Sequence, residues 1–295
     1  MALTINQIGP CFAGEVAGID LTKALSSEDA ASIHAGMDDY AVLVFRQQPM
    51  DNDQHLAFSR SLGELEHAIG TSLRASKDNR FPTNFADVSN LDKENRPFER
   101  EDRRRLFAIG NRLWHSDSSF KETPAKYSLL HAHSIPSKGG NTEFADMRAA
   151  YDALDDQMKA KLEGLQCHHS IAHSRMTLGF EFSKDELEKL KGAVHPLVRT
   201  LPRSGRNSLY LASHASTIIG WQLQDARVML RDLMEHATHP QFVHAHQWRD
   251  GDLVIWDNRA TMHRATPFDD ARHRRELRRV TTLDMAEFPA IAAAE

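Results

Sequence analysis

The 295-residue chain is 41% hydrophobic and 26% charged, with 15 Gly and 11 Pro, a globular composition that excludes collagenous, low-complexity and disordered classes. Acidic residues outnumber basic ones, 41 against 36, and a net charge of −5 offers no broad positive field for nucleic acid. No stretch approaches the roughly 20 apolar residues of a membrane span, so no membrane partner is expected. Residues 1–7 have neither a basic start nor the apolar core of a secretory signal, so the protein is expected in the cytoplasm. Cys11 and Cys167 stand far apart without CxxC spacing, which fits two reduced thiols better than a disulfide or a zinc site.

From Ser26 to Asp38, a serine cap, acidic residues in the turn that follows, and Ala30, Ile33 and Met37 at near-helical spacing predict an amphipathic helix ending near Tyr40. Residues 41–45 form a short β-branched run that predicts a buried strand, and 51–62, closed by Gly63, predict a second helix. The segment 66–105 has little periodicity, and 11 of the 14 residues from Asp92 to Arg105 are charged, so no conventional packed element is expected there. Such a long excursion is either a mobile insertion or an active-site lid. Short β-rich runs at 127–134, 208–212, 242–248 and 252–256 then predict an antiparallel sheet system. Helical patterns at 149–165, 184–191 and 223–237 interrupt them. No fixed-period repeat and no linker composition divides the chain, so residues 1–295 are expected to form one domain. Its expected fold is mainly β with helices, a double-sheet jelly roll with helical insertions.

Candidate chemistry begins at Trp114-His115-Ser116-Asp117. On an extended chain, residues i and i+2 project to one face, so His115 and Asp117 could grip one ion. A second imidazole, His263, follows the 252–256 strand, and a jelly roll brings strands distant in sequence together. Two His and one carboxylate make the facial triad of non-haem Fe(II) oxygenases, which leaves open positions for a chelating cosubstrate and dioxygen. Near the C-terminus, strand alternation in Arg274-Arg275-Glu276-Leu277-Arg278-Arg279 puts Arg275 and Arg279 on one face, roughly 13 Å apart. Inward guanidiniums need anions, and Arg binds carboxylates with two parallel hydrogen bonds, so the pair suits two different carboxylates. The bland reading of that run is a solvated edge countered by Glu276, Asp269 and Asp270. Trp114 and Trp256 flank the candidate ligands and are read as packing residues.

The spacing from His115-Ser116-Asp117 through Gly139-Gly140-Asn141-Thr142-Glu143-Phe144 to His263 and Arg275 resembles the taurine dioxygenase family of Fe(II)/2-oxoglutarate oxygenases, over nearly the whole chain. Within that family, residues 114–120, 142–154 and 274–279 are most similar to the 2,4-dichlorophenoxyacetate dioxygenases. The resemblance implies a double-stranded β-helix with His115, Asp117 and His263 as iron ligands. It implies Thr142 and Arg275 at the distal carboxylate of 2-oxoglutarate, and Arg279 with His214 at the substrate carboxylate. Asn111 and His67 are further implied at the substrate pocket. Fe(II) is the implied cofactor, with 2-oxoglutarate and O2 as cosubstrates, ascorbate as reductant in vitro, an aryloxy acid as substrate and a homo-oligomer as the assembly. Hydroxylation of the carbon next to the substrate carboxylate would release a phenol and glyoxylate, with succinate and CO2 from the cosubstrate. Alternatives are the same chemistry on taurine or another sulfonate, and a jelly-roll protein that binds metal without turnover. In 66–105 the residues do not match the lid of the phenoxyacetate enzymes, so ring recognition stays open.

Overall fold

The run Val42-Leu43-Val44-Phe45 is buried at every position, which a strand achieves only when both faces of its sheet are covered. In the computed structural model, which describes residues 3–67 and 80–285, this strand lies inside a seven-stranded sheet. The strand order is Thr4–Gln7, Gly14–Ala17, Val42–Phe45, Leu253–Asp257, Ala125–Ser134, Glu276–Leu283, Ala86–Ser89. Leu43 and Phe45 pack with Ile33, Met37 and Phe58 of the helices Ser27–Tyr40 and Asn52–Arg60. Val42 and Val44 turn the other way, toward Phe144 of a second sheet. That sheet has three antiparallel strands, Val243–His246, Thr142–Asp146 and Thr261–Ala265. Its alternation sends Phe144 inward, with its ring 5.4 Å from that of Trp256, and Ala145 and Met262 outward against the helix Leu223–Ala237. The result is helix, sheet, sheet, helix: a jelly roll with helices outside it.

Local chemistry starts the predicted helices where expected. Ser26 accepts from the amide of Asp29, and Asp51 and Gln54 form a reciprocal capping box. The predicted helix at 149–165 is instead two, Met147–Asp152 and Asp156–Leu162, because Asp155 is extended and caps the second by accepting from the amide of Met158. The predicted strand at 208–212 is shorter, Asn207–Leu209. Both cysteines are free thiols, Cys11 exposed and Cys167 buried. Among the described residues, no helix is long and apolar enough to cross a membrane.

The largest correction concerns 66–105, of which 68–79 lie outside the described residues. The remainder does contain packed elements: Ala86–Ser89 forms the sheet edge beside Glu276–Arg279, and Arg103–Ala108 is a helix capped by Asp102. The charges are consumed locally, Arg80 on Asp87 and Glu276, Arg104 on Asp102 and Arg96 on Asp92, while Phe85 and Phe98 are buried beneath them. Charge density hid an amphipathic cover.

The fold also buries histidines that it keeps neutral. Burial pushes His55 and His169 down to about 3, with neighbouring imidazoles adding to the effect. Unfolded imidazoles titrate near 6.5, so below that pH the unfolded chain takes up protons that the folded one refuses. Stability is therefore expected to be full above pH ~6.5 and to fall, by up to about 1.4 kcal/mol per pH unit for each such imidazole, as pH drops toward 4. Urea unfolding at a series of pH values checks this; midpoints that stay constant between pH 7 and 4.5 would contradict it.

Candidate metal centre and its two cavities

His115 enters the site because Leu113 leaves the 3-10 turn Ile109–Arg112 in an extended conformation. His115 and His263 then exchange both backbone hydrogen bonds, N–H to C=O at 3.0 and 2.8 Å. Residues directly opposite in an antiparallel pair put their side chains on one face, and the two rings lie 4.2 Å apart. Two residues on, Asp117 returns to that face, with Oδ2 3.6 Å from His263 Nε2 and Oδ1 3.9 Å from His115 Nε2. One donor atom from each of the three buried residues lies within 4.8 Å of the others.

The protonation states suit a divalent cation. The Nδ1 of His115 lies 2.7 Å from the carbonyl of Leu113, to which it donates, leaving the Nε2 lone pair on the Asp117 side. Burial pushes His115 down to about 4 and His263 well below the usual imidazole value. Burial alone would raise Asp117, but the Arg279 guanidinium and the two imidazoles outweigh it and bring the carboxyl to about 2. At neutral pH the set is two neutral imidazoles and one carboxylate, the state that metal binding requires.

Asp117 is held by residues that carry no motif. Ser128 Oγ donates to its Oδ2 at 2.7 Å, and Asn258 Nδ2 donates to that hydroxyl at 2.9 Å. Asn258 Oδ1 accepts from the Asp117 amide and from Trp256 Nε1, each at 3.0 Å. Arg279 donates from its guanidinium to Asp117 Oδ1. Neither Ser128 nor Asn258 stands out in the sequence. Only the pairing of Asp257 with Tyr127 and Trp256 with Ser128 brings them together.

Two cavities meet at His115, Asn111 and Arg279. The first is lined by Thr142, His263 and Arg275. Thr142 Oγ1 accepts from Trp248 Nε1 at 3.0 Å. Arg275 is buried, donates from Nε to the Gly140 carbonyl at 3.1 Å, and is pushed down to about 10 by burial. Gly140 explains its own place in the motif: at φ +69 an added Cβ would press within 3.2 Å of the Arg275 side chain. The second cavity holds Asp117, His214 and a wall that includes Phe81, Phe85, Phe107 and Phe120. His214 is set beside His115, rings 5.9 Å apart, because the Ser213 amide donates to the Trp114 carbonyl at 2.7 Å. Burial and then the nearby Arg175 charge keep it neutral.

The structure thus brings together His115, Asp117, His263, Thr142, Arg275, Arg279, His214 and Asn111. It does not bring in His67, which is exposed and lines neither cavity, although the adjacent Glu66 lines the second. The sequence reading missed Arg175, which lines the second cavity from a six-residue helix too short to leave a periodic signal.

If Ser128 and Asn258 orient the metal-facing carboxylate, Ser128→Ala and Asn258→Ala should each weaken Mn(II) binding about 10- to 100-fold. Calorimetric titration measures this directly, with His115→Ala expected to remove stoichiometric binding. Wild-type affinity in both Ser128→Ala and Asn258→Ala would refute the arrangement.

Comparison with known proteins places this geometry in context. The profile described as taurine catabolism dioxygenase TauD, TfdA family matches residues 4–281. The chain is 43% identical over 289 residues to an alpha-ketoglutarate-dependent 2,4-dichlorophenoxyacetate dioxygenase of Burkholderia sp. (strain RASC), covering 96% of this chain and 95% of that protein. It is 34% identical over 282 residues to an (S)-phenoxypropionate/alpha-ketoglutarate-dioxygenase of Sphingobium herbicidovorans, covering 92% of each. The crystal structure of AAD-2 in complex with Mn(II) and N-oxalylglycine superposes with a TM-score of 0.93 at 48% identity, covering 96% of this chain and 98% of that one.

Proposed function

This chain belongs to the taurine catabolism dioxygenase TauD, TfdA family and is an Fe(II)- and 2-oxoglutarate-dependent dioxygenase; on that premise we propose that it oxidises aryloxyacetic acids at the carbon between the ether oxygen and the carboxylate. The observation that carries this reading is the phenylalanine-walled cavity opening onto His115 and Asp117. An aromatic ring fits such a wall; taurine would leave it without an apolar partner.

His115, Asp117 and His263 would hold the iron, since a two-imidazole, one-carboxylate set leaves its remaining positions free. Bound there, Fe(II) with 2-oxoglutarate and dioxygen supplies the oxidation of a C–H bond, the cosubstrate leaving as succinate and carbon dioxide. Arg275 and Thr142 would hold the far carboxylate of 2-oxoglutarate: Arg275 is a buried guanidinium with no carboxylate partner among the described residues, and a carboxylate supplies the charge-assisted bonds it lacks. Arg279, on the wall that both cavities share, and His214 would face the acid group of the substrate, with Asn111 beside them. Fixing the acid at one end and the ring at the other aims the intervening carbon at the metal centre, a positioning effect that lowers the barrier. Hydroxylation at that carbon gives a hemiacetal. Its bond to the aryl oxygen then breaks, releasing a phenol and glyoxylate. The cover formed by Phe81, Phe85 and Phe107 would act as the lid that keeps water from this cavity.

Oxygen consumption by the Fe(II)-loaded protein with 2-oxoglutarate tests the substrate class. Phenoxyacetate, its dichloro derivative or an aryloxypropionate is expected to raise it well above the rate without substrate, and taurine is not. Stimulation by taurine alone would overturn the aryloxy reading.

A further inference from the structure

The edge strand Ala86–Ser89 is zipped to the stretch that carries both acid-facing arginines of the last strand. Arg279 stands opposite Ala86, and Arg275 lies one step beyond the last rung, where Glu276 faces Ser89. At that step the ladder changes partners. The Asn90 amide still donates to the Arg275 carbonyl, at 3.3 Å, but the Asn90 carbonyl turns away and accepts from the Phe98 amide at 2.8 Å. Its place is taken by the Asn90 side chain, whose Oδ1 accepts from the Arg275 amide at 2.8 Å. The chain can therefore leave the sheet without stranding a backbone donor of the buried Arg275.

The other end of the same side chain holds the loop 267–273. Asn90 Nδ2 donates to the carbonyls of Asp270 at 2.7 Å and His273 at 2.9 Å. One N–H and two carbonyls match the oxygen and the NH2 of an amide in a single orientation, so the partners fix which way it points. A carboxylate in its place could accept from the N–H but donate to neither carbonyl. The loop in turn reaches the guanidinium: the Gly140 amide donates to the Pro267 carbonyl at 3.2 Å, and the Gly140 carbonyl accepts from Arg275 Nε at 3.1 Å. The Phe268 ring lies 6.0 Å from the guanidinium carbon. Asn90 thus bears on Arg275 by two routes, directly at its backbone and through the loop at its side chain.

We propose that Asn90 is a positioning residue for the cosubstrate. It holds the Arg275 backbone and the loop 267–273 as one wall of the first cavity, and so sets the guanidinium where the far carboxylate of 2-oxoglutarate meets it. The inference rests on the reading of Arg275 as the receptor for that carboxylate. A guanidinium makes two parallel bonds to a carboxylate only when its plane is fixed, so a small displacement of Arg275 loosens the far carboxylate and spares the 2-oxo-acid end, which Arg275 does not receive.

Calorimetry on Mn(II)-loaded protein without oxygen tests this by comparing 2-oxoglutarate with 2-oxopentanoate, which has a methyl group in place of the far carboxylate. Wild-type protein is expected to prefer 2-oxoglutarate by roughly 10- to 100-fold, the range for charge-assisted hydrogen bonds. Asn90→Ala should reduce that preference about 3- to 10-fold by weakening 2-oxoglutarate alone. Asn90→Ser, whose hydroxyl can meet one of the three partners, should reduce it less, and it carries the test if the alanine variant does not fold. A general loosening of the fold would weaken both acids together and leave the preference where it was. A wild-type preference in both Asn90 variants would overturn the inference. A wild-type preference in Arg275→Met would instead overturn the reading of Arg275 on which it rests.

Discussion

The backbone bridge between His115 and His263 is the constraint on which the rest of the site depends. Its two hydrogen bonds fix which residues stand opposite each other, and antiparallel pairing then dictates that both imidazoles share a face. Asp117 joins them because an extended chain returns every second side chain to the same side. A slip of one residue would send His263 to the outer face, where Met262 and Ala145 pack against the helix Leu223–Ala237. The apolar pattern of the Thr261–Ala265 strand therefore protects the register of the metal donors, and core packing and chemistry are one constraint.

Charge is arranged around that centre by burial. The imidazoles are kept neutral because the sheets close over them, and the carboxylate stays ionised because Arg279 and the Ser128–Asn258 chain compensate its desolvation. Arg275 and Arg175 show the opposite condition, guanidiniums withdrawn from water and bonded only to neutral groups. Such groups are poor contributors to stability, and their presence on two cavities that converge on one ligand set is understood if anions arrive there during function.

The legible part of this design was the part encoded locally. His115-Ser116-Asp117 and Arg275 with Arg279 could be read from strand alternation, and the buried run at 42–45 from its β-branched continuity. Ser26, Asp51 and Gln54 announced helix starts through their side chains. Ser128, Asn258 and Arg175 could not be found this way, since each acquires its role from a partner across a sheet or loop: Arg175 and Asn111 are 64 residues apart, Ser128 and Asn258 130 apart. His67 is the converse case, adjacent in sequence to Glu66 of the second cavity but exposed and not among the residues that line it. The charge-rich stretch to Arg105 misled because composition reports solvation and not pairing; Arg80, Arg96 and Arg104 are tied to carboxylates while Phe85 and Phe98 turn inward.

The central claim is that this centre couples 2-oxoglutarate decarboxylation to cleavage of an aryl ether. Its most direct test is the ratio of succinate to phenol formed by the purified protein with Fe(II), ascorbate, oxygen, 2-oxoglutarate and phenoxyacetate. One phenol per succinate is the expected result. Succinate without phenol would contradict ether cleavage, and no succinate from verified Fe(II)-loaded protein with any acid would contradict the oxygenase mechanism altogether.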